Sequence, residues 1–337
     1  MSSNNTDTHC GLQVQNLVAS ILPTVLIIEL LLGLPGNLLA LWVFCRHLKS
    51  WKPNVVFLFN LVLADFLLLV SLPFRIHYLM QLENWVFGNA WCRINLFMLA
   101  VNRSASIGFM TTVGVDRYFK VVHPHHKVNF ISSLQAAGIA CFIWIVVISL
   151  RLPLLTCDLL IKQDNISFCR SFNPYKNPEP EILLHYIMYL GEFFLCLIIL
   201  FFCSFRIFYI LHHRHLDKKK KSRQAIRIVI VIIAVFIVCF CPGVATGLNG
   251  LYLKTLEEKY CEEFRLNGQL FVLALGFTYL NSVLDPIIYG FCSSMFRDAV
   301  KSAINQLGLV QLELSHSGRT LSGSGNENRG DSGRNIT

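Results

Sequence analysis

Charge is scarce in this chain. Only 15% of its 337 residues are Asp, Glu, Lys or Arg, where a soluble globular chain carries about 25%. So small a polar surface cannot wrap a water-soluble body of this length, and 54% of the residues are hydrophobic, with a mean hydropathy of +0.53. The N-terminal residues MSSNNTDTHC have no basic stretch leading into an apolar one, so a cleaved signal peptide is not expected, and the first apolar run reads as an uncleaved anchor. No internal repeat is visible. Paired half-repeats with broken helices, the mark of many transporters, are missing. No catalytic constellation stands out either. His123, His125 and His126 have no Cys or carboxylate set beside them and read as a solvated basic loop, not a metal centre.

What is abundant is apolar sequence in long runs. A spanning helix needs about 20 apolar residues, and seven candidates lie near residues 18–45, 54–80, 91–121, 134–156, 181–211, 224–251 and 267–290. The third is the most polar, with its polar residues at helical spacing, as suits a helix in the middle of a bundle. Pro35, Pro73, Pro153, Pro242 and Pro286 interrupt the runs. Within a membrane bundle the freed carbonyls find other partners, so such kinks are tolerated. The expected fold is an all-α membrane protein: a seven-transmembrane helix bundle with a short eighth helix at the interface. Its parts are an extracellular N-terminus (1–17), the seven-span domain (18–292), an amphipathic membrane-surface helix (293–304) and a disordered, Gly/Ser-rich cytoplasmic tail (305–337).

The net charge of +9 invites a nucleic-acid reading, which the placement of the charges argues against. With residue 1 outside, the inner loops carry Arg46, Lys49, Lys52, Lys120, Lys127 and the basic stretch from Arg214 to Arg223. The outer segments carry fewer: Lys162, Arg170, Lys176, Lys254, Lys259 and Arg265. The basic excess therefore marks the cytoplasmic side, where Lys218 to Lys221 meet anionic lipid or a protein partner. The sequons at Asn4 and Asn165 then fall outside, as glycosylation requires. Six of the 12 cysteines sit inside apolar runs as small packing residues, while Cys10, Cys92, Cys169 and Cys261 lie near segment ends.

Local motifs narrow the class. Asp116-Arg117-Tyr118 closes the third run, and Asn281-Ser282-Val283-Leu284-Asp285-Pro286-Ile287-Ile288-Tyr289 closes the seventh. Gly36-Asn37-Leu38 lies in the first, Leu61-Val62-Leu63-Ala64-Asp65 in the second, Trp144 in the fourth and Cys239-Phe240-Cys241-Pro242 in the sixth. In this order, over about residues 15–300, the chain resembles rhodopsin-like G-protein-coupled receptors of the plasma membrane. Within that family it is similar to a branch of hydroxycarboxylic acid, oxoeicosanoid and hydroxyeicosatetraenoic acid receptors. The strings that carry this likeness are Leu96-Phe97-Met98-Leu99-Ala100-Val101-Asn102-Arg103, the run from Asp116 to His126, and Phe277-Thr278-Tyr279-Leu280-Asn281-Ser282.

The resemblance implies specific roles. Cys92 and Cys169 form the outer disulfide, with Cys10–Cys261 as a second bridge and Cys157 as a spare candidate. Asp116, Arg117 and Tyr118 couple to a G protein of the Gi/o class, lowering cyclic AMP. Asp65, Asn102, Ser106, Asn281 and Asp285 match the positions that hold an allosteric sodium ion; a buried network of water and hydrogen bonds needs the same residues. No other metal or cofactor is implied. Arg103 matches the arginine that grips a ligand carboxylate, about three helical turns from Cys92, and guanidinium and carboxylate make a bidentate pair. The bland alternative for Arg103 is a salt bridge with Glu192 or Asp65. Arg75 is a second cation near the same cavity, or else a rim residue facing water. Tyr279 matches a ligand-contacting tyrosine, and Ser171 and Phe172 match a loop lid. His77 and His185 face the cavity or simply pack.

Five residues after Pro242, hydroxycarboxylic acid receptors tend to carry arginine. Here Gly247 stands there, as in the oxoeicosanoid receptor, which favours a long apolar acid such as an oxo- or hydroxy-fatty acid held between the third, sixth and seventh spans. Short hydroxycarboxylic acids are the alternative ligands, and a transporter is the distant alternative class. A light sensor is excluded because no lysine lies between Gly268 and Cys292. Cys196, Ser204 and Phe240 depart from the family's usual proline, tyrosine and tryptophan. Ser317, Thr320, Ser322 and Ser324 in the tail, once phosphorylated, are expected to recruit an arrestin.

Overall fold

The structure is a computed structural model that describes residues 15–46, 51–163, 165–171, 180–213, 220–256, 260–292 and 294–306. Cys10, Asn4, Phe172 and most of the tail lie outside the described residues. Seven helices are long and apolar enough to cross a membrane. They are α1 (Asn16–Arg46), α2 (Pro53–Met80), α3 (Gly88–Val122), α4 (Ser133–Arg151) continued by the short α5 (Pro153–Thr156), α6 (Pro180–His213), α7 (Lys220–Lys254) and α8 (Cys261–Cys292). The fifth, sixth and seventh spans are thus α6, α7 and α8. A final helix, α9 (Ser294–Gln306), follows.

The expected runs match these helices, with three of them starting three or more residues early. α3 starts at Gly88, α7 at Lys220 and α8 at Cys261, all earlier than hydropathy indicates, because their first turns carry polar or small residues that do not extend an apolar run. Pro23, Pro35, Pro73, Pro242 and Pro286 are all accommodated inside helices, whereas Pro153 separates α4 from α5 at Leu152. α4 opens on a capping box in which Ser132 and Gln135 satisfy each other's backbone N–H, as two orphan donors at a helix start require.

Burial follows position in the bundle. In α3, 72% of the most apolar window is enclosed by protein, against 22% in the fourth and fifth spans. α3 is therefore the central post, which is why its sequence carries polar residues, while α4 and α6 expose Phe142, Ile145, Ile198 and Phe205 as a lipid-facing wall. α9 turns its apolar side inward. Phe296 is buried with its ring 5.5 Å from Phe44 and 5.8 Å from Tyr289, and Arg297 donates to Gly290 O at 2.6 Å.

Between α5 and α6 lies a hairpin of β1 (Leu160–Gln163) and β2 (Ile166–Cys169), antiparallel with Leu160 opposite Cys169. Asn165 sits exposed at its turn. The hairpin is pinned to the head of α3 by the Cys92–Cys169 disulfide, with Cα atoms 5.8 Å apart. The segment after α2 holds it further. Trp85 N donates to Ser167 O at 2.8 Å, and Ser167 N donates to Asn84 Oδ1 at 3.0 Å. Cys261 is also disulfide-bonded. Cys157 is buried and is not disulfide-bonded.

Candidate functional site

A cleft lies beside the hairpin, spanning about 610 Å³ with its open, solvent-filled mouth included. Arg75 of α2, Leu96, Leu99, Ala100 and Arg103 of α3, and His185 of α6 line it. So do Arg170 and Ser171, which follow β2, and Phe271, Val272, Leu275, Thr278 and Tyr279 of α8. Its lining is mixed: three arginines, with branched aliphatics and a phenyl ring. Of the expected site residues, Arg103, Arg75, Tyr279 and Ser171 all reach this one space, and Phe172 lies outside the described residues. His77 does not line it but packs edge-on to Phe87 at 5.0 Å.

The sixth span contributes no described residue to the lining, contrary to the expectation placed on it. A Cβ added at Gly247 would meet the Phe271 ring at 3.3 Å and Tyr189 at 3.8 Å. Those two aromatic side chains occupy the space between Gly247 and the cavity, so the glycine admits a ring of α8 and does not itself open room for a ligand.

Arg103 is only 6% exposed. Its guanidinium lies 3.9 Å from the centre of the Tyr189 ring, and Nη2 is 2.5 Å from Glu192 Oε1. The salt bridge weighed as an alternative for Arg103 therefore exists, with Glu192 and not Asp65. It coexists with exposure to the cavity. Glu192 is shared, because Arg151 of α4 also reaches it, Nη2 to Oε2 at 2.5 Å. One carboxylate thus stands between two buried arginines. Arg75 has no carboxylate within ion-pair distance among the described residues; it donates to Cys169 O at 3.2 Å and rests 4.9 Å over Tyr78. Arg170 pairs with the fully buried Glu83 at 2.6 Å. The three lining arginines and Arg151 thus meet two carboxylates, Glu192 and Glu83, in the ion pairs among the described residues.

Nearer the bundle's middle, polar groups of four helices converge. Asn37 donates to Gly33 O and to Ser282 O at 3.0 and 2.8 Å. Asn102 donates to Ala64 O at 2.9 Å, Tyr289 to Asp65 Oδ2 at 3.1 Å, and Asn281 to Asp285 Oδ2 at 3.1 Å. Four buried oxygens there lack a hydrogen-bond partner: Asp65 Oδ1, Ser106 Oγ, Asn281 Oδ1 and Asp285 Oδ1. Two carboxyls and two neutral oxygens form a donor set that fits a small hard cation or ordered water. No cluster of three or more His, Cys, Asp or Glu suited to a metal occurs among the described residues.

At the opposite end of α3, Asp116 is shared by Arg117 at 3.2 Å and Lys120 at 2.8 Å. The Tyr118 hydroxyl faces His123 Nε2 at 3.2 Å. Trp144 is fixed to Asn60 Oδ1 at 2.8 Å.

Sequence reasoning missed Arg151 and the Glu83–Arg170 pair. For Arg151 a signal was present: an arginine ending an otherwise apolar span is costly and demands a partner. Glu83 gave none, since a lone acid in a loop is ordinarily solvated.

Comparison with known proteins accords with this architecture. Residues 36–289 match the family described as 7 transmembrane receptor (rhodopsin family). The chain is 43% identical to human hydroxycarboxylic acid receptor 3 over 299 residues, which is 88% of this chain and 76% of that protein. It is 39% identical to human oxoeicosanoid receptor 1 over 287 residues, 85% of this chain and 73% of the relative. Against the mouse 12-(S)-hydroxy-5,8,10,14-eicosatetraenoic acid receptor it is 34% identical over 303 residues, 89% and 93% of the two chains. These relatives are receptors, not enzymes. The chain belongs to the rhodopsin-like family of seven-transmembrane G-protein-coupled receptors, as a multi-pass plasma-membrane protein of the hydroxycarboxylic acid and oxoeicosanoid receptor group.

Proposed function

We propose that this receptor recognises a carboxylate ligand whose head meets Arg103 and Arg75 and whose apolar part lies against Leu96, Leu99, Phe271, Val272 and Leu275. The observation that carries the reading is the charge balance. Glu192 is shared by Arg103 and Arg151, and Arg75 has no carboxylate partner among the described residues, so an entering anion offsets positive charge in the cavity lining. Tyr279, Thr278 and Ser171 supply hydroxyls near that head. Signalling runs through a Gi/o protein that meets Arg117 once Asp116 releases it, with the N-terminus extracellular, Asn4 and Asn165 glycosylated, and arrestin engaging the phosphorylated tail. A sodium ion at Asp65, Ser106, Asn102, Asn281 and Asp285 acts as an allosteric ligand; the partnerless oxygens there support it.

The apolar wall favours an oxo- or hydroxy-fatty acid. The second reading, a short hydroxycarboxylic acid, draws support from the higher identity to hydroxycarboxylic acid receptor 3 than to oxoeicosanoid receptor 1. A G-protein activation screen in intact cells decides. Lactate, hydroxybutyrate and nicotinate are compared with long oxo and hydroxy fatty acids, each beside its methyl ester. Activity of acids but not esters supports the carboxylate reading, and the more potent chain length selects between the two ligand classes.

A further inference from the structure

Arg151 is a charge that the proposed ligand contacts leave unused. Its side chain is 0% exposed, it is not among the cavity-lining residues, and it closes α4, whose sequence holds no other charged residue. A guanidinium buried there is tolerated only when polar groups meet it. Nη2 donates to Glu192 Oε2 at 2.5 Å and Nε donates to Ser104 Oγ at 3.0 Å, while Nη1 faces His185 Nδ1 at 3.0 Å.

The two oxygens of Glu192 are held unequally. Oε2 accepts from Arg151 and from Ser104 Oγ, the latter at 2.8 Å. Oε1 lies 2.5 Å from Arg103 Nη2, yet the contact is not aligned as a hydrogen bond, and neither atom has one. Misalignment removes much of the strength of a charge-assisted hydrogen bond. Glu192 is therefore anchored on α4 and α3 through one oxygen and only touches Arg103 with the other.

We propose that Glu192 is an internal anion which occupies Arg103 until a ligand carboxylate replaces it, and that Arg151, outside the cavity, sets how strongly it competes. The inference rests on the carboxylate reading given above. When ligand binds, its carboxylate takes Arg103, and Glu192 keeps its two aligned bonds to Arg151 and Ser104. Arg151 is a positioning residue that acts through Glu192. Without it, Glu192 turns wholly to Arg103 and resists displacement.

The test is G-protein activation by lactate, hydroxyoctanoate and oxoeicosatetraenoate in cells expressing the full chain, read as half-maximal concentration and normalised to surface receptor. Coupling within one ion cluster is commonly several-fold or more. Glu192→Gln is expected to lower the half-maximal concentration of the active probe about three- to tenfold, and Arg151→Gln to raise it by about as much. The double variant is expected to follow Glu192→Gln within about twofold, since Arg151 then has no carboxylate to restrain. A simple field effect predicts otherwise: one charge of each sign is removed, so the double variant returns to wild-type potency, and that result overturns the proposal. Unchanged or improved potency in Arg151→Gln overturns it too. Should Arg151→Gln fail to reach the surface, Arg151→Lys keeps the charge but loses the forked contact, and it is expected to raise the half-maximal concentration; no change there overturns the proposal. If none of the probes acts on the wild type, the carboxylate reading fails and this inference falls with it. Every other negative outcome leaves that reading standing.

Discussion

Arg170 donates to Glu83 across 2.6 Å, and the Glu83 side chain is fully buried. The same Glu83 oxygen accepts the backbone N–H of Gln15 at 2.7 Å, one residue before α1. Glu83 and its neighbour Leu82 both adopt left-handed backbone, with φ of 63° and 52°, a conformation non-glycine residues seldom take. The pair thus joins the start of α1, the loop after α2 and the residue following the Cys92–Cys169 bridge.

Removing one partner of a buried pair strands the other charge and costs about 3–5 kcal/mol. Glu83→Gln is expected to lower thermal stability of the solubilised receptor by an amount in that range and to reduce surface protein. Glu83→Gln with Arg170→Gln restores part of the loss. Equal melting of wild type and Glu83→Gln refutes a structural role for the pair.

Arg103→Ala is expected to weaken a carboxylate agonist at least about tenfold while surface protein is kept, since a hydrogen bond to a charged group contributes about 1.5–3 kcal/mol. Arg103→Lys recovers only part, because the forked geometry is lost. The methyl ester of the agonist, weak on the wild type, should lose far less than the acid on Arg103→Ala. Ester and acid of equal potency on the wild type contradict the anchor.

Gly247→Arg places its first side-chain atom 3.3 Å from the Phe271 ring, which lines the cavity wall. The ring must shift toward the ligand, so potency of long apolar acids should fall more than that of short hydroxy acids. Dose–response curves for one acid of each kind on both receptors measure the difference. Equal losses place the effect outside the apolar wall.

Replacing external sodium by N-methylglucamine should change agonist potency on the wild type and leave Asp65→Asn unaffected. Asp65 Oδ1 is one of the partnerless buried oxygens, and an amide in its place removes the charge that draws a cation. A sodium effect of the same size in Asp65→Asn assigns the ion elsewhere.

Arg117→Ala is expected to abolish signalling with surface protein retained, and pertussis toxin is expected to silence the wild type. Arg117 shares Asp116 with Lys120, so Lys120→Ala leaves Asp116 to Arg117 alone and should lower activity in the absence of ligand. A toxin-insensitive response argues for a different G-protein class.

Local chemistry alone settled a good deal. Seven apolar runs determine seven helices because lipid offers no partner for an unpaired backbone group. The polar spacing of the third run marks α3 as the central post. Asp116-Arg117-Tyr118 and the Asn281-to-Tyr289 pattern are contiguous motifs, legible without knowing what faces them. Tertiary packing decided which charges meet. Arg151 and Glu192 are 41 residues apart, and only the rotation of α4 and α6 about their axes turns both inward to the same point beside Arg103. Packing also decided that Phe271 and Tyr189 fill the space left by Gly247, which a reading of the sixth span by itself takes for ligand volume. A side chain's identity follows from its codon, but its ion-pair partner depends on helix rotation and register, and those are set by how all seven helices fit together.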